Sequence, residues 1–328
     1  MKKIGLILII IYLQYNLSSQ NYIEYQKEIT KAENLMFERK YPEAIRQFKQ
    51  TFDAYEFNFP RDCMVAAQIA SFMNDADNAF YFLRKAVRFG ATIERIRMVT
   101  FLMSLQIHPQ WNEFVKEYPE IRKAYYDGLN LPYRELCNQY YIRDQELRDR
   151  DQVWYRNLNR RLSPRSEKKW VLNCEKTLEV IDSLIPIYGF PSYKTIGGMD
   201  STLPKRSNRS LSSCQILIVY YHYYSIRRDA NPKYLEKLYD EVVKGNLSVR
   251  DYALILEFKR REEKGYKEDS SSLYYIRWEP KPDTTKIYAN EAEVNQRREA
   301  LGLSTCHYER LRKIWEHNYR FEFFYYEF

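Results

Sequence analysis

His222 is the residue of this chain best suited to chemistry, because an imidazole that titrates near neutrality can move a proton or bind a metal. It lies in the run Tyr220-Tyr221-His222-Tyr223-Tyr224. Asp144, Gln145 and Arg148 form a second group. Asp144 and Arg148 are four residues apart, so on a helix they share one face. If these three converge with His222 on a ligand, His222 serves as acid and base and Arg148 holds an anionic group. The structural alternative is a core histidine held by tyrosine hydroxyls, beside a surface ion pair worth ~0.3–0.5 kcal/mol. His108, His307 and His317 show no ligand spacing with His222, so no metal centre is expected. G-x-S-x-G, H-E-x-x-H and P-loop motifs are absent, so hydrolase, zinc-protease and nucleotidase mechanisms lack their usual signatures. No cofactor is expected.

Composition narrows the classes further. Cys63, Cys137, Cys174, Cys214 and Cys306 lie far apart without a C-x-x-C pair, and an odd count leaves at least one thiol unpaired in a monomer. An oxidising compartment allows one disulfide, and spacing does not choose it. The formal charge is +8, and Lys2 and Lys3 supply two of those charges. Residues 20–130 carry 15 basic and 15 acidic side chains, so the remaining excess lies beyond them. Lys259-Arg260-Arg261 is followed at once by Glu262-Glu263, the pattern of a solvated helix face rather than of a nucleic-acid stripe. The 31 tyrosines accompany a chain-wide lysine and isoleucine bias that reads as genomic base composition. No nucleic-acid partner is expected.

Residues 1–19 have the order of a secretory signal: Lys2 and Lys3, an apolar run from Ile4 to Leu13, then the small residues Ser18 and Ser19. That run is short of the roughly twenty residues that span a bilayer. Cleavage near Gln20 would leave no permanent membrane span and a periplasmic or secreted protein. An uncleaved anchor is the lesser reading, since Tyr12 to Leu17 could lengthen a tilted span.

The elements that would position the candidate residues are mostly α. From Tyr22 to Ala91 two helical hairpins follow one pattern: Ala32, Tyr41, Ala44 and Phe48 return as Ala67, Ala76, Ala79 and Leu83, shifted by 35 residues. This resembles the tetratricopeptide repeat in degenerate form, and its concave face offers a groove for a protein partner. Pro109 and Pro119 mark further helix starts, and a boundary near Asn130 separates residues 20–130 from a second helical domain, 131–328. There a long polar helix from Pro132 to Arg161 precedes an amphipathic one carrying Trp170, Cys174, Leu178, Ile181 and Ile185, which Pro186 and Tyr188-Gly189-Phe190-Pro191 end. Ser248-x-x-Asp251 opens a later helix as a capping box. Leu273 to Ile276 and Thr284 to Tyr288 favour strands, predicting a two-stranded β-hairpin near 271–288. The aromatic end from Phe321 to Phe328 should pack against the rest of the chain.

From Leu136 to Tyr308 the order of landmarks resembles the bacterial domain of unknown function catalogued as 6624. The matching residues are Asp144-Gln145-x-x-Arg148, Tyr188-Gly189-Phe190-Pro191, Ile196-Gly197, His222, Tyr252-Ala253-Leu254, Arg297-Arg298 and Gly302-Leu303. The resemblance implies an envelope protein of Bacteroidetes-like bacteria, where this domain often follows a tetratricopeptide-like segment. Three positions depart from that pattern: Tyr221 replaces a Gln, Glu257-Phe258 an Asp-Arg pair, and Tyr274-Tyr275-Ile276 a Tyr-Gly-Thr run. Two function classes therefore stand side by side. One is an exported interaction or binding module; the other is a divergent enzyme or small-ligand binder using Asp144, Arg148 and His222. The departures favour the first, and Gln145 belongs with Arg148 and His222 as a ligand contact in the second.

Overall fold

The side chain of Asn21 accepts from the Ile23 N–H at 2.9 Å and so caps the first helix. The computed structural model describes residues 20–156, 164–198, 215–226, 230–264, 272–276 and 290–324. Thirteen α-helices and one 3-10 helix, and no strand, occur among the described residues. The expected signal segment, Cys214 and the run Thr284 to Tyr288 lie outside them.

The first group of helices is α1 (Tyr22–Phe37), α2 (Tyr41–Ala54), α3 (Pro60–Phe72), α4 (Ala76–Arg88) and α5 (Ile93–Met98), then the 3-10 turn Thr100–Ile107 and α6 (Gln110–Asp127). α1 packs on α2 and α3 on α4 as hairpins. Ala32, Ala44, Ala67 and Ala79 are completely buried, since small side chains let the helix axes approach closely. Pro119 does not start a helix as expected. It lies inside α6, whose flanking turns pack Trp111, Phe114 and Tyr125 inward, and that burial outweighs one lost backbone hydrogen bond.

The second group is α7 (Leu131–Arg156), α8 (Pro164–Tyr188), α9 (Gln215–Ile226), α10 (Lys233–Val243), α11 (Val249–Lys264), α12 (Glu291–Ala300) and α13 (Cys306–Tyr319). Pro186 falls within α8, which runs on to Tyr188 and ends where Gly189 takes φ +79°. Proline blocks the hydrogen bond to the turn before it but not those made after it. Apolar side chains gather into two main clusters, one in α1 to α6 and one drawn chiefly from α7 to α11. Between α6 and α7, the side chain of Asn130 accepts from the Tyr133 N–H at 3.0 Å, and its own N–H reaches the Thr195 carbonyl at 2.8 Å.

The β-hairpin expected near 271–288 has no strand among its described residues. Residues 272–276 are irregular, with Tyr275 at φ +49°. Several of their backbone groups are taken by side chains. Glu257 accepts from the Leu273 N–H at 3.1 Å, the Tyr274 N–H at 2.8 Å and the Ser272 hydroxyl at 2.6 Å. Arg297 and Arg298 donate to the carbonyls of Leu273 and Tyr274 at 3.0 and 2.5 Å. β propensity yields here because buried charged groups offer the backbone better partners.

Residues 302–324 fold back over α1 and α3, the first helices of the two hairpins. Thr30 donates to the Gly302 carbonyl at 2.6 Å. At Gly302, φ is +77° and an added Cβ would sit 2.9 Å from the Lys27 nitrogen, so the close crossing requires glycine. Gln68 exchanges two hydrogen bonds with the Glu322 backbone, at 2.7 and 3.1 Å, and Arg61 donates to the Phe323 carbonyl at 2.9 Å. Phe321, Phe323 and Phe324 are buried in the first cluster. Beneath them lies an ionic network. Glu33 pairs with Arg61 at 2.7 Å and with Arg312. Arg312 also meets Glu309 at 2.6 Å, and Glu309 meets Arg250 and Arg298, each at 3.1 Å.

Candidate functional site

On α7, Tyr133, Cys137, Tyr141 and Asp144 fall at helical spacing and are all buried, so the carboxylate of Asp144 sits at the end of an otherwise apolar stripe. A buried carboxylate is tolerated only when donors surround it. Two other helices supply them. On α8, Trp170 and Cys174, four residues apart and both buried, reach Oδ1: the indole Nε1 donates at 2.7 Å and the thiol at 3.4 Å. On α9, His222 Nδ1 lies 2.6 Å from Oδ2, which also accepts from Gln145 Nε2 at 2.9 Å. Asp144 thereby ties α7, α8 and α9 together.

The structure brings all four sequence candidates into one chain of contacts. Arg148 Nη1 donates to Gln145 Oε1 at 3.2 Å, so Arg148 reaches Asp144 through Gln145 rather than as the direct ion pair its spacing suggests. His222 is held by a carboxylate and by the Trp170 ring, whose centroid is 4.7 Å away in an edge arrangement, and not by the expected tyrosine hydroxyls. Tyr221 instead donates to Asp251 at 2.6 Å. Sequence reasoning placed Trp170 and Cys174 on a core-facing stripe but missed them as donors. The available signal was an aspartate in phase with Tyr133, Cys137 and Tyr141 on a helix that otherwise reads as polar.

Electrostatics fit this geometry. Burial pushes the Asp144 carboxyl up, but the His222 charge and the hydrogen bonds from His222, Trp170 and Cys174 outweigh it and hold the group below the usual carboxylate range. An ionised carboxylate only accepts hydrogen bonds, so neutral His222 keeps its proton on Nδ1. Its Nε2 lone pair has no hydrogen-bond partner among the described residues, and the side chain retains 14% exposure. This is the orientation that lets an Asp–His pair accept a proton from a ligand. Cys174 is no nucleophile, because burial and then the Asp144 charge push its thiol well up.

The described cysteines, Cys63, Cys137, Cys174 and Cys306, are buried and free of disulfides. Among the described residues no group of three or more His, Cys, Asp or Glu is placed to hold a metal, and no helix is long and apolar enough to cross a membrane. A charge-lined cavity of about 60 Å³ beside Glu33, Arg61 and Arg312, and an apolar groove of about 490 Å³ beside Phe57 and Tyr125, are lined by neither Asp144, Arg148 nor His222. Compared with family models, with curated proteins and with solved structures, the chain finds no match in any of the three.

Proposed function

We propose that this chain is an exported bacterial envelope protein, with residues 136–308 akin to the domain of unknown function 6624, that binds a small anionic ligand at Gln145, Arg148 and His222. His222 Nε2 accepts a proton from the bound molecule or from water beside it, Asp144 orients the ring and balances the charge gained, and Arg148 holds the anionic group. The observation that carries this reading is the 2.6 Å contact between Asp144 Oδ2 and His222 Nδ1, which leaves Nε2 without a partner among the described residues. It predicts a thermal shift with members of a panel of small carboxylates and phosphate esters. His222→Gln and Arg148→Ala should both lose that shift while melting only modestly below the parent. A shift that survives both substitutions, or none across the panel, would sink the proposal.

A second reading, the interaction module, draws on a different surface from the one first expected. The face of the tetratricopeptide-like hairpins formed by α1 and α3 is covered by residues 302–324 of the same chain. Phe72, Met98, Met103 and Ile107 are, by contrast, 50%, 61%, 53% and 90% exposed around the 3-10 turn, an apolar patch of the kind protein partners cover. Both readings place the protein outside the cytoplasm. Intact-mass measurement of native protein should give a chain beginning near Gln20, and a full-length cytosolic chain would refute export.

A further inference from the structure

Lys194 stands apart from the chemistry above. Its Nζ donates to the Lys244 carbonyl at 2.7 Å and lies 4.4 Å from the Tyr22 ring centroid and 5.4 Å from that of Phe57. Among the described residues it makes no ion pair. The rings and the carbonyl favour the ammonium, and burial without a paired carboxylate opposes it. It also lines an open groove of about 490 Å³ together with Phe57, Phe89, Ile121, Tyr125 and Leu129. That combination, a desolvated amine at the edge of an apolar groove, is the setting in which lysines form imines.

We propose that Lys194 is an amine nucleophile that captures an aldehyde or ketone with an apolar aryl or alkyl body, the body lying along Phe57, Phe89, Ile121, Tyr125 and Leu129. The neutral Nζ attacks the carbonyl carbon; a C–N bond forms as one amine proton passes to the oxygen. The second amine proton then leaves with that hydroxyl as water, giving the C=N bond of a Schiff base, and no oxidant or reductant is consumed. The charged groups around the site do not quench the amine. Glu241 is engaged by Lys244 at 2.8 Å and Asn246 at 2.7 Å, and the Tyr22 hydroxyl donates to the Phe57 carbonyl at 3.1 Å. Arg88 and Glu120 line the groove with opposite charges. Burial, opposed by the charges of Glu56 and Glu241, lowers the Lys194 ammonium to about 8, so a substantial fraction is neutral in mildly alkaline solution.

The test treats the folded chain with benzaldehyde and cyanoborohydride, which reduces any imine to a stable benzylamine, and maps the modified lysines by peptide mass spectrometry. Lys194 should be benzylated roughly tenfold or more faster than the exposed lysines at pH 8, since those, with pKa values near 10.4, hold far less neutral amine. Its rate should be half-maximal near pH 8, and Lys194→Arg should abolish this modification alone. Repeating the reaction with glyoxylate, an aldehyde without an apolar body, should shrink the Lys194 advantage to the part that its neutral-amine fraction alone gives. If Lys194 reacts no faster than surface lysines, or keeps the same advantage with glyoxylate, the proposal is overturned. The parent kinetics decide this even if Lys194→Arg folds poorly.

Discussion

Arg312→Met should lower the unfolding free energy by about 3–5 kcal/mol, the usual cost of removing one partner from a buried ion pair. Arg312 is buried, bridges Glu33 on α1 and Glu309 on α13, and lies over the Phe323 ring with its guanidinium 5.3 Å from the centroid. Methionine fills much of the volume but leaves two buried carboxylates sharing fewer cations. Burial pushes the Glu33 and Glu309 carboxyls up, and the arginines around them outweigh it, holding Glu309 well below its ordinary range and Glu33 below it. Removing one arginine therefore raises the cost of keeping both ionised. Lys313→Ala serves as the control, since the pair Lys313 makes with Glu316 is partly exposed, and it should stay within about 0.5 kcal/mol of the parent. Urea unfolding midpoints decide the matter. Equal midpoints for Arg312→Met and the control would mean that the C-terminal segment does not anchor the hairpins.

Asp144→Ala should cost about 3–4 kcal/mol, because it strands the Trp170 N–H and the His222 ring nitrogen where water cannot replace the carboxylate. Asp144→Asn should cost less, and Arg148→Ala, whose contact reaches the aspartate only through Gln145, less than about 1 kcal/mol. The pH dependence has a definite sign. The Asp144 carboxyl is depressed in the folded state, so its contribution is fully present above the unfolded carboxylate pKa, near 4, and is lost as pH falls through the lower folded value. Asp62 and Asp251 act oppositely, because burial raises both. Comparison with Asp144→Asn isolates the one term: the variant should lose less stability than the parent between about pH 5 and 2. Parallel acid limbs would show that Asp144 is not held ionised by His222, Trp170 and Cys174.

Helical periodicity carried most of the fold into view. The stripe from Trp170 through Cys174 and Leu178 to Ile181 is buried along α8, and the aromatic end packs on the hairpins through Phe321, Phe323 and Phe324. Period and apolar content are local properties, so they survive in a single sequence. What failed was decided at long range. Leu273 to Ile276 has strand-favouring residues, but Glu257 on α11 and Arg298 on α12 take its backbone groups. No local pattern announces that. The candidate site divides the same way: Asp144, Arg148 and His222 were visible by type, whereas the partner of His222 depended on the crossing of three helices. The tyrosines flanking His222 drew attention to hydroxyls, yet neighbours on a helix point away from one another. The pairing of helices into hairpins was legible too, but not that Gly302 and the Phe321–Phe324 segment would cover the face formed by α1 and α3.

The most direct measurement is the long-range ¹H–¹⁵N spectrum of the His222 ring in its neutral form, recorded with and without acetate or inorganic phosphate. The Asp144 contact predicts a proton on Nδ1, a bare Nε2, and an Nε2 resonance that moves on adding one of these anions and stays still in Arg148→Ala. A proton resting on Nε2, or a ring that neither anion perturbs, would contradict a ligand site built on Asp144, Arg148 and His222.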